Sequence, residues 1–266
     1  MSGSALQQLV TTFHIGRSGS TVLGDLLNQH RDVQWLGDIY EWPEFRDQPA
    51  TPGPGSELLR RLRTRLPAVE KPVAGIEAKF YHLHDHGMAL HDFLDELRGE
   101  VAGTGRCRFI VLRRKNYLRK IVSSLAARQR GQWFARHGSP VPPVRLEINP
   151  ERVCIDGDAQ PLLDYLRDWD AQFDQLDAEL AGGDTLSLTY EDDIEQDPLV
   201  AYRKVCRHLG IEPGAPEVRF NRTTPEPLPD IVTTLDTVRR ALAGSGYEWM
   251  TETGDIPNLA LRERDS

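Results

Sequence analysis

One stretch, Leu9 to Leu27, constrains the fold more than any other part of the chain. Leu9-Val10-Thr11-Thr12-Phe13-His14-Ile15 mixes apolar and small polar residues and is rich in β-branched side chains, the pattern of a strand. Gly16-Arg17-Ser18-Gly19-Ser20-Thr21 follows at once, and Val22, Leu23, Leu26 and Leu27 then fall on one helical face. Ser18 or Ser20 is available as the N-cap. In a strand-turn-helix of this kind, Gly16 and Gly19 let the backbone approach a ligand. The N–H groups and dipole at the helix start attract an anion. Arg17 adds a fixed positive charge, so the stretch reads as a phosphate or sulfate cradle.

The remaining chain repeats the alternation of strand and helix. Asp32 to Trp35 is a short second strand that delivers Asp38 and Glu41 to its end, where carboxylates of a doubly wound sheet face the ligand crevice. Glu57 to Leu66 is a helix with Leu58, Leu59, Leu62 and Leu66 inward, and Val73 to Phe80 is a strand that ends in Lys79. Arg108 to Leu112 is a buried strand with Arg113, Arg114 and Lys115 at its mouth, and the helix after it carries Ser123 and Ser124. Three adjacent cations there are costly unless an anion or carboxylates meet them, which marks a second anion site. Further helices span Leu162 to Leu180, Pro198 to Leu209 and about Thr234 to Ala243, with a strand at Thr185 to Leu188. The expectation is an α/β fold of three layers, α/β/α, around a central parallel sheet, as a single domain over residues 1–266.

Two loops stand apart. Asp47 to Gly55 is rich in proline and glycine, and Gly131 to Pro161 is long and irregular, with a hairpin around Leu146 to Ile155. Tyr81-His82-Leu83-His84-Asp85-His86 invites a metal-site reading, but nothing elsewhere supplies an evident further ligand group, so no metal is expected. His82 is better read as an acid or base.

Composition narrows the function classes. A net charge of −8 disfavours a nucleic-acid partner, which needs a basic surface. The three cysteines, Cys107, Cys154 and Cys206, form no paired motif, which fits a reducing, cytoplasmic setting. Met1 to Gln8 is too polar for a signal peptide, and no apolar run reaches the ~20 residues a membrane span requires.

Together these landmarks resemble the sulfotransferases that use 3′-phosphoadenosine 5′-phosphosulfate. Gly16-Arg17-Ser18-Gly19-Ser20-Thr21 is similar to that family's 5′-phosphosulfate loop, and Phe109 to Ser124 to its 3′-phosphate site. Leu188-Thr189-Tyr190-Glu191-Asp192, followed by Pro198 and a helix to Gly210, looks like a segment of bacterial members. The family's phosphate-site arginine stands eight residues before its serine. Here Lys115 is eight before Ser123 and Arg114 nine, and either takes the role. The glycine-rich Arg-Lys-Gly motif of animal cytosolic members is missing, which points to a bacterial-type subgroup.

The resemblance implies sulfuryl transfer to a hydroxyl of a small-molecule or carbohydrate acceptor, with the two loops setting specificity. Gly16, Arg17, Ser18, Gly19, Ser20, Thr21, Arg114, Lys115 and Ser123 would hold the donor, and Arg17 and Lys79 would stabilise the transferring group. Asp38, Glu41 or His82 would be the base. Two other readings stand beside it. A P-loop kinase would need a lysine after Gly19, where this chain has Ser20. A non-catalytic nucleotide-binding homologue would keep the fold and bind the bisphosphate product without turnover.

Overall fold

A computed structural model of the chain describes residues 6–38, 56–102, 105–155 and 159–252. The opening strand is β1 (Gln8–His14), buried from Leu9 onward, and α1 (Ser20–Asn28) follows it. The N-cap of α1 is Gly19, at φ 85°, rather than Ser18 or Ser20. Ser18 instead turns its hydroxyl to the Gly16 carbonyl, and Ser20 is already inside the helix. Strand β2 (Val33–Asp38) runs past the expected Trp35 because a register shift at Gly37, φ 72°, lets pairing resume as far as Asp38. Next come α2 (Ser56–Arg65), β3 (Val73–Lys79), α3 (Phe80–Asp85), α4 (Leu90–Glu100) and β4 (Arg106–Arg113).

Helix α5 (Tyr117–Arg130) follows β4, and α6 (Leu162–Leu180) precedes β6 (Thr185–Thr189), with β5 (Ala135–Arg136) a two-residue strand between them. A single turn, α7 (Tyr190–Asp193), leads to α8 (Pro198–Leu209). Asp197 caps α8, Pro198 opens it and Gly210 closes it at φ 71°.

The chain divides into two compact units. The first comprises residues 1–115, 136–138 and 169–221 and holds a five-stranded sheet in the order β2-β3-β1-β4-β6, with every pairing parallel. β1 is the central strand, and the connection from β3 to β4 crosses it. The carboxyl end of β1 is therefore a topological switch point, where the sheet opens a crevice. Alternation sorts β1 between two layers. Val10 packs with Leu23, Leu26 and Leu27 of α1 and Val205 and Leu209 of α8. Phe13 faces Phe93 of α4 edge-on at 6.1 Å on the other side, where Phe80 meets Phe173 at 5.1 Å. Helices thus flank the sheet.

The second unit comprises residues 116–135, 139–168 and 222–266. Its spine is α5, capped by the Asn116 side chain and ended by Gly131. Arg119 donates to the Glu226 carbonyl, Arg128 to those of Cys154 and Ile155, and Arg130 to that of Thr223, so the helix pins this unit's loops. The expected hairpin over Leu146 to Ile155 does not form: Leu146 bridges Val232 in parallel, and Val153 pairs with Gln160. Pro150 lies within that stretch and lacks the N–H group a ladder needs. No helix among the described residues is long and apolar enough to cross a membrane.

Candidate active site

The loop from His14 to Ser20 leaves the switch point in an uncommon conformation. Gly16 lies at φ 75°, Arg17 at 55° and Gly19 at 85°. A left-handed arginine costs energy, so something must hold it there. Three hydrogen bonds do so. The Gly16 N–H donates to His14 Nδ1 at 3.0 Å, the Ser18 hydroxyl to the Gly16 carbonyl at 3.2 Å, and Arg114 Nη1 to the Arg17 carbonyl at 2.6 Å. The segment after β6 closes over the turn. A Cβ at Gly19 would stand 2.8 Å from Ile194 Cγ2 and 3.1 Å from Tyr190 Cδ2, so space as well as φ demands glycine there. Thr21 is exposed on the first turn of α1. Turns of this kind aim successive N–H groups at one point and can hold an anion.

Two guanidinium groups stand at the loop. Arg114 is buried, with its guanidinium 4.6 Å above the Tyr190 ring. Burial first, and then the charge of Arg114, bring the Arg17 guanidinium down to about 10, so both remain cations that oppose each other. The neighbouring cations are differently placed. Lys115 Nζ meets both Asp192 oxygens at 2.8 and 2.7 Å, and its N–H donates to Glu191 at 2.8 Å. Arg113 bonds Asp177 at 2.7 Å and covers the Phe173 ring. The run Arg113 to Lys115 is therefore not a three-cation anion site. Carboxylates meet its outer members, and Arg114 alone of the three bonds to the loop. Ser123 and Ser124 are buried on α5, in the second unit.

On the β3 side, Lys79 ends its strand beside the loop: a Cβ at Gly16 would lie 3.9 Å from Lys79 Cε. Its Nζ is 2.7 Å from Asp38 Oδ2 and donates to the Tyr81 hydroxyl at 3.1 Å. His82 Nε2 stands 3.8 Å from the same Asp38 oxygen, and His82 Nδ1 accepts the Lys79 N–H at 3.4 Å. Three expected residues, Asp38, Lys79 and His82, thus converge. Burial, reinforced by the charge of Lys79, holds the His82 imidazole down at about 2, so it is neutral at pH 7. With Nδ1 accepting, its proton sits on Nε2, towards Asp38. Glu41 and the Asp47 to Gly55 loop lie outside the described residues. The alternate histidines do not converge, because Phe80–Asp85 is a helix, on which residues two apart point apart. Among the described residues no group of three or more metal-ligating side chains forms.

Sequence reasoning missed a buried polar network beneath the loop. Glu77 of β3 meets His14 Nε2 at 3.0 Å through one oxygen, and Trp35 Nε1 donates to the other at 3.0 Å. Burial alone would raise this carboxyl, but His14, Trp35 and the Ser20 hydroxyl together hold it down at about 2. The Trp35 indole fills a slot between two glycines. A Cβ at Gly24 would lie 2.4 Å from Trp35 Nε1, and one at Gly75 2.0 Å from Trp35 Cε3. The available signal was a lone acid in an otherwise apolar strand, Val73-Ala74-Gly75-Ile76-Glu77-Ala78.

No family model matches this chain, and no curated protein matches it.

Proposed function

We propose that the protein is a sulfotransferase of the P-loop-like fold class that uses 3′-phosphoadenosine 5′-phosphosulfate and an acceptor hydroxyl of a small molecule or carbohydrate. The observation that carries this reading is the opposed pair Arg17 and Arg114 on a glycine loop at the switch point, with Lys79 beside Gly16. Two neighbouring cations beside convergent N–H groups, one of them lowered by the other, are relieved by an anion with more than one charged group. Lys79 supplies a movable cation next to that position.

Transfer in line forms a bond from the acceptor oxygen to sulfur as the bond from sulfur to the 5′-phosphate oxygen breaks. Negative charge grows on the leaving oxygen, and Lys79 and the α1 N-terminus lie on the loop side to meet it. The hydroxyl proton goes to Asp38. His82 is the poorer base, because its Nδ1 lone pair already accepts the Lys79 N–H.

The test is release of adenosine 3′,5′-bisphosphate from the sulfated donor in the presence of a panel of phenols, sugars and other alcohols. Acceptor-dependent release that falls about a hundredfold or more in Lys79→Ala is expected. Equal release by wild type and variant contradicts the reading.

A further inference from the structure

The chain Trp35, Glu77, His14, Gly16 links β2, β3 and β1 to the anion loop through one buried carboxylate. Its hydrogen positions follow from the donors. The Gly16 N–H can only donate, so His14 Nδ1 must be bare and the imidazole proton must sit on Nε2. Nε2 then carries the proton that faces Glu77 Oε2, 3.0 Å away, while Trp35 Nε1 donates to Oε1 at 3.0 Å. Polar hydrogens of His14, Trp35 and the Ser20 hydroxyl face the two oxygens, and a carboxylate is the side chain that offers both as acceptors. An amide at this position would turn its NH₂ against one of them.

We infer that His14 is a positioning residue for the anion loop: it captures the Gly16 N–H through the one tautomer that the Glu77 carboxylate permits. That capture fixes Gly16 in its left-handed conformation, from which Arg17 enters its own. It also turns the first loop N–H inward, away from the anion position. Glu77 acts through His14, and Trp35, three residues before Asp38, ties the strand of the candidate base to the same carboxylate. The link to ligand binding rests on the proposed donor site, whereas the link to loop conformation does not.

The test uses the full chain and three variants that separate the two ring nitrogens. The amide oxygen of His14→Asn replaces Nδ1 as acceptor, the amide nitrogen of His14→Gln replaces Nε2 as donor, and Glu77→Gln removes the second acceptor. Amide hydrogen exchange at Gly16 reads the loop directly, and titration with adenosine 3′,5′-bisphosphate reads its consequence. Wild type and His14→Asn are expected to keep Gly16 protected and affinities within about threefold of each other. His14→Gln and Glu77→Gln are expected to lose Gly16 protection, and about tenfold or more in affinity. Gly16 protection in His14→Gln equal to wild type overturns the inference. If the substitutions prevent folding, the wild-type imidazole nitrogen spectrum decides: a proton on Nε2 supports the inference and a proton on Nδ1 overturns it. A wild type with the expected exchange pattern but no bisphosphate binding contradicts the donor reading and leaves the loop inference standing.

Discussion

Lys79 Nζ stands 2.7 Å from Asp38 Oδ2 at the carboxyl ends of two neighbouring parallel strands. In the proposed reaction this pair divides the work: Asp38 takes the acceptor proton and Lys79 meets the leaving oxygen. Asp38→Asn should therefore lower kcat by about a hundredfold or more, with bisphosphate affinity held within about threefold. Equal losses in turnover and affinity would assign Asp38 to binding.

Arg114 and Lys115 are adjacent, but their settings differ. Arg114 bonds the Arg17 carbonyl and covers Tyr190, whereas Lys115 is matched by Asp192. Arg114→Ala should weaken bisphosphate binding about tenfold or more, and Lys115→Ala by less than about threefold. Arg114→Lys should recover little, since it loses both the planar fork and the stacking. Calorimetry on the three variants decides, and the reverse ranking would move the phosphate contact to Lys115.

The slot around Trp35 makes a prediction about stability. A methyl group at Gly75 would overlap the indole, so Gly75→Ala should destabilise the fold by about 1–3 kcal/mol in urea unfolding. Because one side chain is in the way, the same change made in a Trp35→Ala background should cost about 1 kcal/mol or less. Additive effects would place the strain elsewhere.

Much of the architecture was legible in the chain. Helix α6 begins and ends where its apolar periodicity does, and Pro198 and Gly210 bound α8 as local capping rules require. These signals are short-range, and the packing did not oppose them. The α1 cap was misread because the turn's φ values gave that place to Gly19. Within the site, Lys79 at a strand end and Asp38 at another were readable from position, and their convergence followed from sheet order. The different settings of Arg114 and Lys115 were not readable, because they depend on Asp192, which is distant in sequence. Glu77 was hidden for the same reason: its partners His14 and Trp35 lie on other strands.

His82 gives the acid response a definite sign. Its ordinary value of 6.5 is lowered to about 2 by burial and by the charge of Lys79. As pH falls below 6.5, the unfolded chain takes up a proton that the folded chain refuses, and stability drops by about 1.4 kcal/mol per pH unit from this group. The loss continues towards the folded value. His82→Asn keeps an acceptor for the Lys79 N–H and removes the titration. Between about pH 7 and about pH 5 the variant should therefore gain about 2 kcal/mol on wild type in urea unfolding. Parallel losses in the two proteins would show that His82 does not carry the response.

The central claim is that the glycine loop with Arg17 and Arg114 holds a bisphosphorylated adenosine. The most direct measurement is calorimetric titration of the purified protein with adenosine 3′,5′-bisphosphate, against 5′-AMP and against ADP with Mg²⁺. The account predicts binding that requires the 3′-phosphate, needs no metal ion and weakens on Arg114→Ala. Equal or tighter binding of ADP with Mg²⁺ would contradict it and return the loop to the chemistry of a kinase.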